Sequence, residues 1–271
     1  MQNERFPARR TVPGKASRVA MSAVALWLVA AIPAAAEEPP AFEFRSKVVT
    51  TIVSLDATIK ADAPLAANLL AEGKRWAEKY RHEAETEAKA SPELFRDGNS
   101  WEFERHHTTD AVIADRYVSI TRQEYSSTGG AHPNTVLDTI LWDRTAGKRI
   151  SIRPFFTELA DRGPTLTALR TAIIAAIEVQ KKERGVDDSE GMDWPKSIEP
   201  KLLKIGPVTF APSTTPGKSA GLVFIYSPYS LGSYAEGSYE AFVPWESFKA
   251  FLTPEGAAIF GGKRPATDKP K

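Results

Sequence analysis

Residues 125–134, Tyr-Ser-Ser-Thr-Gly-Gly-Ala-His-Pro-Asn, combine a histidine, several hydroxyls and paired glycines in one short segment. The glycines permit positive φ or a close backbone approach, and Pro133 drives His132 towards an extended conformation. We therefore take His132 as a candidate general base or ligand-binding residue. The alternative is a turn histidine whose ring bonds to nearby backbone. The candidate ligand-binding residues of this segment are Tyr125, Thr128, Gly129, Gly130 and His132.

A second segment, residues 226–239, is rich in tyrosine and glycine. Tyrosine pairs a large apolar face with a hydroxyl, so these side chains are suited to lining a groove for a sugar or a peptide. We take Tyr229 and Tyr234 as candidate ligand-binding residues, and Glu236 as a candidate catalytic acid. The alternatives are tyrosines that cover the edge of a small core, and a solvated glutamate.

Other kinds of site have little support in the sequence. His106 and His107 are adjacent in a strand-like run, so their side chains point to opposite faces and cannot chelate one metal ion. The loop Asp187–Gly191 lacks the alternating oxygen ligands of a calcium loop. The chain contains no cysteine, which removes thiolate chemistry. We predict no metal site and no cofactor.

The spacing of apolar residues predicts the elements that must position these segments. In the first half we expect a strand at 48–53, a long helix at about 64–89, strands within 101–124 with a turn around Thr109-Asp110, and strands at 135–142 and 149–152. In the second half we expect a helix at about 164–183, a short helix at 197–203, strands at 208–211, 222–226 and 240–243, and a short helix at 245–252.

Strands and helices are grouped rather than alternating, which predicts an α+β fold. We expect antiparallel sheets, with a long helix in the N-terminal half and a second helix-plus-sheet unit in the C-terminal half. The predicted division is an N-terminal domain at 42–160, a C-terminal domain at 161–260 and a disordered tail at 261–271.

Residues 1–36 have the pattern of a secretory signal peptide. A basic region precedes an apolar run from Val19 to Ile32, and Ala34–Ala36 supplies a small-residue cleavage pattern. We predict cleavage near Ala36 and a periplasmic or secreted protein, with no membrane association afterwards. Without these residues the net charge falls from +1 to −3, which argues against nucleic acid as a partner.

The two chemistry-bearing segments, followed by Val243-Pro244, resemble the PdaC/RsiV-like superfamily. The resemblance spans about residues 42–252. It implies a DUF4163-like domain at 42–160 followed by a DUF3298-like domain at 161–260. Members occur as ectodomains of anti-sigma factors that recognise lysozyme, and beside a separate polysaccharide-deacetylase domain that carries the catalysis.

The resemblance favours a non-catalytic binding module of the cell envelope that recognises a lysozyme-like protein or a glycan of the cell wall. The competing hypothesis is a hydrolase or deacetylase-type enzyme acting on peptidoglycan, with His132 as base and either Glu236 or a hydroxyl of the loop assisting. It uses the same residues for acid–base chemistry.

Overall fold

The computed structural model describes residues 39–186 and 193–268, which all belong to one compact unit. The predicted signal peptide and the whole of the loop Asp187–Gly191 therefore lie outside the described residues. The architecture is α+β, as predicted, with one six-stranded and one three-stranded sheet.

The larger sheet carries its strands in chain order. They are β1 (Phe42–Arg45), β2 (Val49–Leu55), β3 (Trp101–Ile113), β4 (Tyr117–Ser127), β5 (Asn134–Asp143) and β6 (Lys148–Ile150). All neighbours are antiparallel except β2 and β3, which are parallel. A parallel pair needs a long crossover, and helices α1 (Ala57–Lys60) and α2 (Ala63–Ala90) with a 3-10 segment (Pro92–Gly98) provide it.

The long helix predicted at 64–89 is confirmed as α2. Its N-terminus is capped by Asp62, whose carboxylate accepts a hydrogen bond from the Leu65 amide at 3.1 Å. Such a cap stabilises a helix by about 1 kcal/mol. Leu65, Leu69 and Trp76 are buried on the face that packs on the larger sheet, which matches the spacing on which the prediction was based.

The turn predicted around Thr109-Asp110 is wrong. Strand β3 continues to Ile113 through a β-bulge just after Thr109, and the chain turns at 114–116. The Thr109 amide donates a hydrogen bond of 2.5 Å to the carboxylate of Asp56. Thr109 and Asp110 resemble a turn in sequence. They lie within a strand instead, where the Thr109 amide finds its hydrogen-bond acceptor in Asp56, a residue distant in the chain.

The smaller sheet contains β7 (Val208–Phe210), β8 (Gly221–Tyr226) and β9 (Tyr239–Pro244). Helix α3 (Pro164–Glu183) confirms the helix predicted at 164–183, and α4 (Pro254–Ile259) was not predicted. The short helix predicted at 197–203 is wrong, because the nearby 3-10 helix Trp194–Ser197 ends where it should begin. The short helix predicted at 245–252 is present as two 3-10 helices, Trp245–Ser247 and Lys249–Phe251. Pro195 and Pro200 each lack an amide donor and disfavour α-helix before them.

The two sheets are joined by hydrogen bonds from the backbone of β7 to side chains of the larger sheet. The Val208 amide donates to the Thr139 hydroxyl at 2.9 Å, and the Phe210 amide donates to the Ser119 hydroxyl at 2.8 Å. Buried amides need such partners. These two hydroxyls therefore fix the position of β7 against β4 and β5.

Residues 261–268, where we predicted a disordered tail, lie against the smaller sheet. The Arg264 guanidinium pairs with Glu240 at 2.6 Å and with Asp268 at 2.5 Å. It also lies over the Phe242 ring. Within the described part of the chain, no helix is long and apolar enough to cross a bilayer.

Helix α2 approaches β2 closely at Gly73. A Cβ added to Gly73 would lie 2.7 Å from a methyl carbon of Val53, closer than real contacts allow, and valine is stiff at χ1. We expect Gly73→Ala to lower the free energy of unfolding by about 1–3 kcal/mol through overpacking, although alanine favours helix by about 1 kcal/mol.

Urea denaturation of residues 37–271 measures this change. The control is Ala71→Gly at an exposed position of the same helix, where we expect a loss of about 1 kcal/mol from helix propensity alone. A Gly73→Ala protein more stable than wild type would show that α2 can shift away from β2.

Candidate functional site

The β4–β5 hairpin presents His132 in its loop. Strand β4 ends at Ser127 and β5 begins at Asn134, so the loop comprises residues 128–133. Gly129 has φ of +82°, a conformation that glycine adopts without steric cost. The loop is therefore a tight connection that holds His132 at an exposed end of the larger sheet.

The structure brings His132 together with Tyr229 and Tyr234. The His132 Nε2 lies 3.1 Å from the Tyr229 hydroxyl. The imidazole stacks on the Tyr234 ring with centroids 3.9 Å apart and an interplanar angle of 18°. The two tyrosine rings are 5.4 Å apart. We call these three side chains the ring cluster; both segments singled out in the sequence contribute to it.

Hydrogen bonds fix the orientation of the rings. The Tyr234 hydroxyl donates to the Pro133 carbonyl at 2.9 Å, and the same carbonyl lies 2.9 Å from His132 Nδ1. A carbonyl only accepts, so Nδ1 carries the proton. In a neutral ring Nε2 is then the acceptor for the Tyr229 hydroxyl, and the lone pair that a general base would use is already engaged.

Tyr229 is held in an unusual backbone conformation. Its φ is +69°, in the left-handed region that costs a non-glycine residue about 1–2 kcal/mol. Its side chain is nevertheless 53% exposed, so burial of the ring does not offset this cost. Strain of this kind clusters at functional sites, and here it places an aromatic ring on the surface beside His132.

Tyr234 is positioned by a capped 3-10 turn. The turn spans Tyr234–Glu236, and Ser233 and Glu236 form a reciprocal capping box. The Glu236 carboxylate also accepts hydrogen bonds from Lys181 Nζ at 2.8 Å and from the Tyr239 hydroxyl at 2.7 Å. Lys181 belongs to α3 and is buried. The ion pair therefore ties the tyrosine segment to the core of the smaller sheet.

These contacts determine the charge of Glu236. Burial would raise its pKa, but hydrogen bonds from Lys181, Tyr239 and Ser233 outweigh burial and lower the pKa to about 2. A general acid must carry a proton at the working pH. Glu236 is ionised at neutral pH with both oxygens engaged, which argues against the catalytic role considered from the sequence and identifies a structural one.

The remaining candidates divide between strand and loop. Thr128, Gly129 and Gly130 lie in the exposed loop beside His132. Tyr125, expected in that loop, is instead a half-buried residue of β4 paired with Thr135 of β5. Across residues 39–186 and 193–268, no group of three or more histidine and carboxylate side chains is placed to hold a metal ion.

Sequence reasoning missed Ser233 and Lys181, which support the ring cluster, and assigned Glu236 a catalytic role instead of a structural one. Ser233 and Glu236 form a Ser-x-x-Glu pattern, which is the sequence signature of a capping box, so their pairing was readable. Lys181 gives no such signal, because a lysine near the end of an amphipathic helix ordinarily points to solvent. Its burial depends on Trp194 and Tyr239, whose rings its ammonium faces.

A second polar cluster lies between α2 and the larger sheet. Arg105, only 5% exposed, pairs with Glu124 at 2.8 Å and stacks its guanidinium on the Trp76 ring. Glu72 pairs with Arg122 at 2.6 Å in the same network. Nearby, burial lowers the pKa of His107 to about 4. This histidine is neutral at physiological pH and belongs to the core.

Comparison with known proteins identifies a family domain in part of this chain and gives no activity. A domain of the family described as protein of unknown function (DUF3298) is found at residues 159–246. The comparison with curated proteins gave no match. Among solved structures, a DUF3298 family member from Bacteroides fragilis is similar over 78% of this chain and 86% of its own, at 15% identity and a TM-score of 0.49.

A DUF3298 family protein from Pseudomonas aeruginosa is similar over 79% of this chain and 86% of its own, at 16% identity and a TM-score of 0.46.

The Lys181–Glu236 pair gives a prediction about stability. We expect Glu236→Gln to lower the free energy of unfolding by about 3 kcal/mol at pH 7, because it removes a carboxylate that pairs with a buried ammonium. Chemical denaturation measures the loss, with the exposed Glu246→Gln as control.

We expect the free energy of unfolding that is lost in Glu236→Gln to depend on pH. The depressed pKa of Glu236 contributes stability above the ordinary glutamate value of 4.5, and that contribution is lost as pH falls towards 2. The difference between wild type and Glu236→Gln should therefore shrink over this range. A difference that stays constant down to pH 2 would contradict the assigned ionisation.

Proposed function

We propose that this protein is a non-catalytic binding module of the cell envelope, and that the ring cluster with its glycine loop is the contact surface. The observation that carries the proposal is Tyr229, which is exposed although its backbone is strained. Exposed, rigidly held aromatic side chains are typical anchors of binding surfaces, because little side-chain entropy remains to be lost on binding.

The same geometry supports binding over catalysis. The Nε2 lone pair of His132 faces the Tyr229 hydroxyl at 3.1 Å, and Glu236 is an ionised structural carboxylate. An acid–base pair needs two groups with pKa values near the working pH. The site supplies one exposed imidazole stacked on the Tyr234 ring, with the Tyr229 ring beside it, and this arrangement supports a recognition surface.

The cellular context rests on the sequence. The signal-peptide pattern of residues 1–36 supports export to the periplasm or beyond the cell. The PdaC/RsiV-like resemblance, with a DUF4163-like region at 42–160, supports a partner associated with the cell wall. We therefore propose a lysozyme-like protein or a wall glycan as the partner, and no nucleic acid.

The ring cluster gives a direct test of binding. We expect Tyr229→Ala and Tyr234→Ala each to weaken binding of the mature chain to its wall partner by at least about tenfold, as loss of an aromatic anchor does. Titration calorimetry against a lysozyme-type muramidase, and co-sedimentation with purified peptidoglycan, are the measurements.

Leu203→Ala, at a fully exposed apolar side chain elsewhere, should leave binding unchanged. Loss of the fold in Tyr234→Ala, or wild-type binding in Tyr229→Ala, would remove the ring cluster as the contact surface.

Two substitutions at Tyr229 separate the effect of backbone strain on stability from the effect of losing the ring on binding. We expect Tyr229→Gly to be more stable than Tyr229→Ala by about 1 kcal/mol, because glycine adopts the positive φ without the Cβ penalty. Both variants lack the ring, so both should bind equally poorly. Thermal and urea unfolding, together with the binding titration, measure the two effects. Equal stabilities would contradict a strained conformation at this position.

The enzymatic alternative is tested by product analysis. We expect peptidoglycan incubated with residues 37–271 to show the same muropeptide masses and acetyl content as an untreated sample. A His132→Ala variant serves as control, because a positioned acid–base group contributes about 10²–10⁴-fold to a rate. Release of muropeptides or loss of acetyl groups that disappears in His132→Ala would establish an enzyme and overturn the proposal.

A further inference from the structure

The face of the larger sheet that looks towards the smaller sheet is unusually polar. Thr121 and Gln123 of β4 alternate onto this face, and Thr135 of β5 lies on it as well, because cross-strand partners share a face. Thr108 of β3 pairs directly with Thr121. Packed sheets normally bury apolar side chains between them. Here Tyr117 and Leu141 of the same face pack with Phe210 in the apolar core, whereas hydroxyl groups lie between the sheets farther along the face, and space remains beside them.

That space is a groove between the two sheets. Its larger part has a volume of about 290 Å³ and is lined by Thr121, Gln123, Thr135, Leu137, Ile225 and Ser238, among others. The smaller part is a separate pocket of about 190 Å³ that shares the lining residues Ile225 and Glu240 and is also lined by Arg264. Gln123 is exposed, so the groove is accessible from solvent.

The two parts of the groove differ in charge. The smaller part is lined by three acidic side chains and one basic one, Asp110, Glu240, Asp268 and Arg264. Glu240, which is 8% exposed, is the charged side chain that lines the larger part, and its carboxylate pairs with the Arg264 guanidinium at 2.6 Å. A ligand with a net charge would be desolvated in the larger part without an opposite charge left over to compensate it. The larger part therefore favours a neutral ligand.

We propose that this groove binds a neutral, polyhydroxylated ligand of monosaccharide size. Short hydroxyls and an amide offer both donors and acceptors, while Ile225, Leu137 and Pro228 supply an apolar surface for the C–H face of a sugar ring. The volume lies just below the 300–1,000 Å³ typical of sites for larger ligands, which fits a single ring. The site is separate from the ring cluster and does not rest on its proposed role.

The test uses a matched series of sugars. Glucose and N-acetylglucosamine are the neutral probes, and glucosamine and glucuronate carry a positive or a negative charge on the same ring. Titration of the mature chain is followed through the methyl resonances of Ile225 and Leu137. We expect saturable shifts with at least one neutral sugar, and binding of both charged sugars weaker by at least about tenfold.

Variants of the lining sharpen the test. Thr135→Val and Ser238→Ala each remove a hydroxyl with little change in shape, and each should weaken sugar binding by about threefold to tenfold. Thr145→Val, in the exposed turn after β5, is the matched control and should bind as wild type does. The methyl spectrum of each variant reports whether it is folded.

Three results would overturn the proposal: no shift of the Ile225 or Leu137 methyls with either neutral sugar, a charged sugar that binds as well as its neutral counterpart, or unchanged affinity in both hydroxyl variants. Because the readout is at these methyls rather than at a wall partner, the groove can fail while the ring cluster binds, and the reverse.

Discussion

The arrangement of the candidate site depends on one buried ion pair. Lys181 of α3 is almost fully buried, and an ammonium in such a place is tolerated only with a carboxylate and further polar contacts. Glu236 supplies the carboxylate, and Arg184 from the end of the same helix donates to the Glu236 and Ser238 carbonyls. These contacts fix the backbone of the tyrosine segment, and this in turn sets the position of the Tyr234 ring.

The contact between the two sheets, which we call the polar joint, also depends on finding hydrogen-bond partners for buried polar groups. The β7 amides need acceptors, and Thr139 and Ser119 provide them from the face of the larger sheet. On the other side of the smaller sheet, α3 and the Phe155 and Phe210 rings form the main apolar core. Stability therefore comes from that core, while the polar joint determines how the sheets meet and leaves the groove between them.

The sequence predicted those features that depend on local pattern. Helices α2 and α3 follow from apolar spacing and from capping residues, and the His132 loop follows from its glycines and proline. The bulge at Thr109 was not predictable, because its amide is satisfied by Asp56, a partner distant in the chain. The roles of Glu236 and Lys181 were hidden for the same reason: charged side chains reveal their burial only through tertiary contacts.

The ring cluster itself shows how local and tertiary constraints combine. Its rings come from segments almost a hundred residues apart in the chain, and the stacking of His132 on Tyr234 exists only because a hairpin loop and a capped turn are both rigid. The cluster is exposed at Tyr229, and its orientation is fixed before a partner binds. Because pre-organisation reduces the entropy lost on association, this geometry fits the binding role proposed for the ring cluster.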